Sequence, residues 1–160
     1  MGSGRSGIYY TSHGSSKIHH QALIHSMEGI FTVNPKTGKI SKFMSGGHAQ
    51  DNINFLEKNG IEYHIVKTYK NGVRVGYVPK HDKKAKKSGI GQAWFPKSWT
   101  QKDITKAAEH VSQLKCNKGV KDGIPVFGMY KGVKVGIIKT HGNIATVFPD
   151  SKQPNNGRKR

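Results

Sequence analysis

Residues 61–78 read Ile-Glu-Tyr-His-Ile-Val-Lys-Thr-Tyr-Lys-Asn-Gly-Val-Arg-Val-Gly-Tyr-Val. Two β-rich runs, 61–69 and 73–78, flank Lys70-Asn71-Gly72. Asn-Gly between such runs is the strongest short-range signal for a hairpin. Downstream, residues 126–130, 133–139 and 144–148 form three more β-rich runs, joined at Lys131-Gly132 and His141-Gly142-Asn143 as in a meander. Between the two strand groups, Ile104, Ala107, Ala108, Val111 and Leu114 recur at helical spacing and predict a helix over 101–114 with one buried face. Upstream, Ile30 to Val33 and Ile40 to Met44 flank the turn residues Asn34-Pro35-Lys36-Thr37-Gly38. One helix is expected from a Ser15-Ser16 cap through Ile18, Ala22 and Leu23 to about Met27, and a second up to about Lys58, closed by Asn59-Gly60. The pattern is α+β, with two small helix-plus-antiparallel-sheet lobes over about 15–79 and 92–150.

The lobes are joined by residues 79–91, which carry five lysines from Lys80 to Lys87 and no large apolar side chain before Ile90. This stretch reads as a mobile basic loop. Residues 1–14 read as a linker and 151–160 as a frayed basic tail.

A chain of 160 residues is long enough to bury a real core. Its 27 Lys and Arg against 9 acidic residues give a formal net charge of +18. Such an excess calls for a polyanionic partner, nucleic acid ahead of a membrane surface. No apolar run approaches the roughly eighteen residues of a membrane span. So few carboxylates leave little from which to build a Mg²⁺ or Ca²⁺ site. His19, His20 and His25 do not stack on one helical face, so no metal site is expected there. The single cysteine, Cys116, excludes an internal disulfide and a Cys-rich zinc site, and its expected place is a buried or half-buried helix end.

Candidate chemistry centres on Ser45-Gly46-Gly47-His48, ahead of a helix that carries Ile53, Phe55 and Leu56. Glycines bring backbone close to a ligand, and a helix N-terminus offers N–H groups to phosphate, so Gly47 is a candidate substrate contact. Histidine exchanges protons near neutrality. Cleaving RNA through its own 2′-hydroxyl needs a base for that hydroxyl, an acid for the departing 5′-oxygen and a cation for the charge on phosphorus oxygens. Two histidines and a lysine suffice, with no metal and no cofactor. DNA lacks the 2′-hydroxyl and would be spared.

Across residues 17–150 the order of signals resembles the EndoU endoribonucleases, in particular the bacterial domains at the C-termini of secreted toxins. A first histidine with a glycine four residues on is matched by His25 and Gly29, and a second after a glycine turn by His48. A lysine ahead of an aromatic-Pro-Lys-x-Trp segment is matched by Lys87 and by Trp94 to Trp99, and a final Thr-x-aromatic-Pro by Thr146 to Pro149. The resemblance implies His25 and His48 as acid and base, in either order, and Lys87 as the cation. It also implies that Thr146 and Phe148 hold the base 5′ to the cut. Phe148 stands where the family often has tyrosine, so it can stack but not hydrogen-bond. His20 remains an alternative to His25, and Lys84 or Lys86 to Lys87.

The same resemblance implies a monomeric, metal-independent endoribonuclease that leaves 2′,3′-cyclic phosphate and 5′-hydroxyl ends on tRNA or other cellular RNA. It would be a secreted or surface-delivered toxin part acting in a target cell's cytoplasm, without a membrane partner, and checked by an acidic immunity protein. The alternative is a non-catalytic basic RNA-binding module, indifferent to loss of His48.

Overall fold

The computed structural model describes residues 17–154. In chain order they form α1 (His20–Glu28), β1 (Ile30–Val33), β2 (Ile40–Ser45), α2 (Gln50–Lys58), β3 (His64–Thr68), β4 (Arg74–Tyr77), β5 (Gln92–Trp94), α3 (Gln101–Gln113), β6 (Val126–Tyr130), β7 (Val133–Thr140) and β8 (Asn143–Pro149). The strands make three antiparallel sheets, β1-β2, β3-β4-β5 and β6-β7-β8, so the class is α+β. Among the described residues no helix is long and apolar enough to cross a membrane.

The hairpin at Asn71-Gly72 and the β6-β7-β8 meander stand where the turn chemistry puts them. Helix α3 opens on a capping box: Thr100 Oγ1 accepts the Asp103 N–H at 3.2 Å, and Asp103 Oδ2 accepts the Thr100 N–H at 2.8 Å. Its Ile104, Ala107, Ala108 and Val111 are fully buried with Val133, Val135, Ile137 and Val147 of the meander. Burying each Val or Ile side chain contributes about 1.5–3 kcal/mol. The same core takes in Leu23 and Met27 of α1, Val73 and Val75 of the hairpin, and Ala93 and Phe95, so packing runs across the expected boundary between lobes. A smaller core gathers Phe43, Ile53, Leu56, Ile61, Val78 and Trp94. Neighbouring Trp94 and Phe95 therefore serve different cores.

The C-terminal end of α1 decides how the first half is arranged. The last four carbonyls of a helix have no partner within it. Here the glycine turn supplies donors for those of Ser26 and Met27 and adds a second donor to His25 O, which also takes the Gly29 N–H at 2.9 Å. The N–H groups of Gly47, His48 and Ala49 donate to the carbonyls of His25, Ser26 and Met27 at 3.2, 2.6 and 3.1 Å. Asn52 Nδ2 donates to Glu28 O at 2.8 Å, while its Oδ1 accepts from Trp94 Nε1 at 2.9 Å. This approach excludes side chains: Gly46 has φ +69°, and a Cβ on it would lie 2.2 Å from His25 O.

Several expectations are corrected. Ser15 and Ser16 lie outside the described residues; Ile18 bridges to Ile144 on β8, and α1 begins at His20 without a side-chain cap. Strand β5 is not foreseen from sequence. The basic loop is tied into the fold: Asp82 N–H donates to Phe43 O at 2.8 Å, Phe43 N–H to Lys80 O at 3.1 Å, and Val78 N–H to Lys86 O at 2.9 Å. Cys116 is exposed, because its neighbour Asn117 takes the interior place and donates to Val111 O and Phe127 O. Of the tail, residues 151–154 are described and are held at Gln153, which is buried and bonds both backbone groups of Lys134; residues 155–160, like the 1–14 linker, lie outside the described residues.

Gly38 and Gly46 share nearly the same φ, +72° and +69°, but a Cβ on Gly38 would meet nothing. Gly38→Ala should cost about 1–2 kcal/mol, the left-handed penalty alone. Gly46→Ala should lose at least about twice as much in thermal denaturation, and equal losses would contradict the close contact.

Candidate active site

His48 is fixed by strand β5. Its Nδ1 lies 2.8 Å from Ala93 O, and its own carbonyl accepts the Phe95 N–H at 2.7 Å. A carbonyl oxygen only accepts, so Nδ1 carries the proton and Nε2 keeps the lone pair. His48 is 6 % exposed. Burial, then the charge of Lys86, push its pKa down to about 3, although the Ala93 bond favours the charged form.

His25 comes from the last turn of α1, one residue before the Ser26 carbonyl that receives the His48 N–H. Its Nε2 is 2.9 Å from Ser45 Oγ. Burial first and the Lys83 ammonium second lower its pKa below the ordinary 6.5. Both histidines line a cavity of about 340 Å³ together with Lys83, Lys86, Thr146 and Phe148. On β8, Thr146 and Phe148 alternate with buried Val147, so both face the cavity. The Val147 N–H donates to buried Ser26 Oγ at 3.1 Å, which ties β8 to the residue beside His25. Phe148 lies 6.0 Å from the His48 ring and meets Phe127 edge-on at 5.9 Å, over the bare face of Gly136.

The loop contributes its lysines through a 3₁₀ turn at Lys84–Lys86. Three residues per turn put positions i and i+3 on one side. Lys83 and Lys86 accordingly both line the cavity, and burial followed by the Lys83 charge brings Lys86 to about pKa 8. Lys87 is exposed and lines a different cavity with Lys39, Lys42 and Lys80.

The structure thus brings together His25, His48, Thr146 and Phe148 of the residues read from sequence. It places Lys86 there, not Lys87. His20 is exposed at the start of α1 and outside the cavity lining. Gly47 is buried with its N–H committed to His25 O, so it has no donor to offer a phosphate; Gly46 is the turn glycine that lines the cavity. Lys83, Ser45 and the Ala93 carbonyl were not anticipated. Among the described residues, no group of three or more His, Cys, Asp or Glu is placed to hold a metal ion.

Residues 19–151 match the family described as bacterial EndoU nuclease. The chain belongs to that family, and its general activity is that of a nuclease. No curated protein and no solved structure gives a match.

A second buried histidine, His81, is 1 % exposed, and burial and Lys86 push it down to about 4. His48 and His81 therefore hold folded-state pKa values below the unfolded 6.5. The unfolded chain binds more protons as pH falls, so their contribution is complete above about 6.5 and shrinks towards about 4 for His81 and about 3 for His48. The melting temperature should fall over that window, and fall less in His81→Asn. A flat profile would contradict the burial of neutral imidazoles.

Proposed function

We propose that this member of the bacterial EndoU nuclease family is a metal-independent endoribonuclease. The observation that carries the reading is the convergence of His25, His48 and Lys86, from three separate segments, on one cavity, with His48 Nδ1 locked to Ala93 O.

That lock supports one direction of proton flow. His48 Nε2 holds a lone pair and takes the proton of the 2′-hydroxyl, whose oxygen attacks the neighbouring phosphorus. His25 gives a proton to the 5′-oxygen as its bond to phosphorus breaks. The products are a 2′,3′-cyclic phosphate and a 5′-hydroxyl end. Lys86, with Lys83 beside it, offsets the charge that builds on the non-bridging oxygens. The free protein disfavours charge on His25, but an incoming phosphodiester supplies the opposite sign and raises its pKa. Base, acid and cation all come from side chains, which leaves no step for a metal or cofactor. Thr146 and the face of Phe148 take the base 5′ to the cut.

The wider setting rests on the resemblance to toxin domains. The substrate would be tRNA or another cellular RNA in a target cell's cytoplasm, reached as part of a larger secreted or surface-delivered protein. The producing cell would need an inhibitor, and an acidic protein covering the lysine-lined cavity fits the +18 charge by steered association.

Purified protein incubated with total RNA in EDTA should cleave it at discrete sites and leave 2′,3′-cyclic phosphate ends. His48→Ala should cleave roughly 10²–10⁴-fold more slowly while binding RNA as before. Lys86→Ala should lower kcat, and Lys87→Ala should not. Retained, salt-sensitive binding with no cleavage by the unaltered chain would leave the RNA-binding module as the function.

A further inference from the structure

The basic loop has a second face. Residues 79–87 and the β1-β2 hairpin enclose a cavity of about 460 Å³ that is lined by Lys39, Lys42, Lys80, Lys87 and His81 and by no carboxylate. Among the described residues only Lys42 of the four lysines has a carboxylate within reach, Asp82 at 3.8 Å, and both partners of that pair are well exposed. Three ammonium groups therefore face the cavity uncompensated.

His81 supplies an independent sign. Its Nδ1 accepts the Lys83 N–H at 2.9 Å, which puts the ring proton on Nε2. That Nε2 is buried and has no hydrogen-bond partner. Native proteins retain few unpaired buried donors, and those they retain call for an acceptor from outside. Four lysines lining one cavity with no carboxylate among them suit the oxygens of a phosphate. The lining holds no Trp, Tyr or Phe on which a protein interface would centre.

Consecutive residues connect this cavity to the other one: Lys86 lines the first and Lys87 the second. We propose that the second cavity is a phosphate-binding subsite for the single-stranded RNA backbone on one side of the scissile bond, formed by Lys39, Lys42, Lys80 and Lys87, with the buried His81 in its wall. Lys87 thus holds substrate instead of stabilising the reacting phosphorus. The assignment of a scissile bond rests on the nuclease reading; the subsite itself does not.

The test is binding of a single-stranded oligouridylate to His48→Ala protein across a salt series. Adding Lys39→Ala and Lys87→Ala should weaken binding about tenfold at low salt and reduce the slope of log K against log salt by about 1.4, at ~0.7 per phosphate contact. The pair Lys102→Ala and Lys106→Ala, exposed on α3, removes the same charge and should leave the slope unchanged. An unchanged slope in the Lys39/Lys87 pair overturns the proposal, as does an equal loss in both pairs, which would mean net charge alone. Unchanged RNA binding with weakened binding of polyglutamate overturns it in favour of an acidic protein surface. Because the readout needs no cleavage, a chain that cleaves nothing would sink the nuclease reading and leave this one measurable.

Discussion

The fold depends on how helix α1 ends. Carbonyls at its end that lack a helical partner must be satisfied, and leaving such groups buried and unpaired costs about 1–3 kcal/mol each. The glycine turn and Asn52 satisfy those of Ser26, Met27 and Glu28 from outside the helix. The donor to Ser26 O is the backbone of His48, and its neighbour Gly47 adds a second donor to His25 O beside Gly29. Capping the helix and placing two histidines on one cavity are therefore the same event. Gly46 and Gly47 belong to that event, since any side chain there would strike His25 or Asn52.

From this seam the constraint spreads in two directions. Asn52, having capped Glu28, accepts the Trp94 indole N–H and so aligns β5, whose Ala93, with Phe95 just after the strand, clamps His48 from the other side. Ser26 receives the Val147 N–H and so aligns β8, which presents Thr146 and Phe148. Electrostatics then act on fixed geometry. Buried imidazoles in a chain of net charge +18 stay neutral, with Lys86 and Lys83 adding to the desolvation cost. A neutral His48 with its proton pinned on Nδ1 leaves the lone pair on Nε2.

Much of this was legible from residue types alone. Asn71-Gly72 marked its hairpin, the spacing of Ile104, Ala107, Ala108 and Val111 marked α3, and the ordered motifs around His25, His48, Trp94 and Thr146 marked the family. What escaped was whatever depends on backbone partners or on the winding of a loop. Strand β5 is three residues long and buried throughout, so it shows no alternation to read. The partner of His48 Nδ1 is a main-chain carbonyl 45 residues away, which leaves no trace in side-chain chemistry. Within a run of lysines, which one faces the histidines is decided by a single 3₁₀ turn, and the shift from Lys87 to Lys86 follows from it. Cys116 followed the habit of its residue type less closely than its neighbour Asn117 followed the open carbonyls of Val111 and Phe127.

The most direct measurement is a crystal structure of the protein with a short RNA blocked by 2′-deoxy or 2′-fluoro substitution at the cut. The account predicts the scissile phosphate between the two histidines, His48 Nε2 facing the 2′ position, His25 facing the 5′-oxygen and Lys86 on a non-bridging oxygen. A phosphate bound elsewhere, or a 2′ position that faces His25 with His48 still held to Ala93 O, would contradict it.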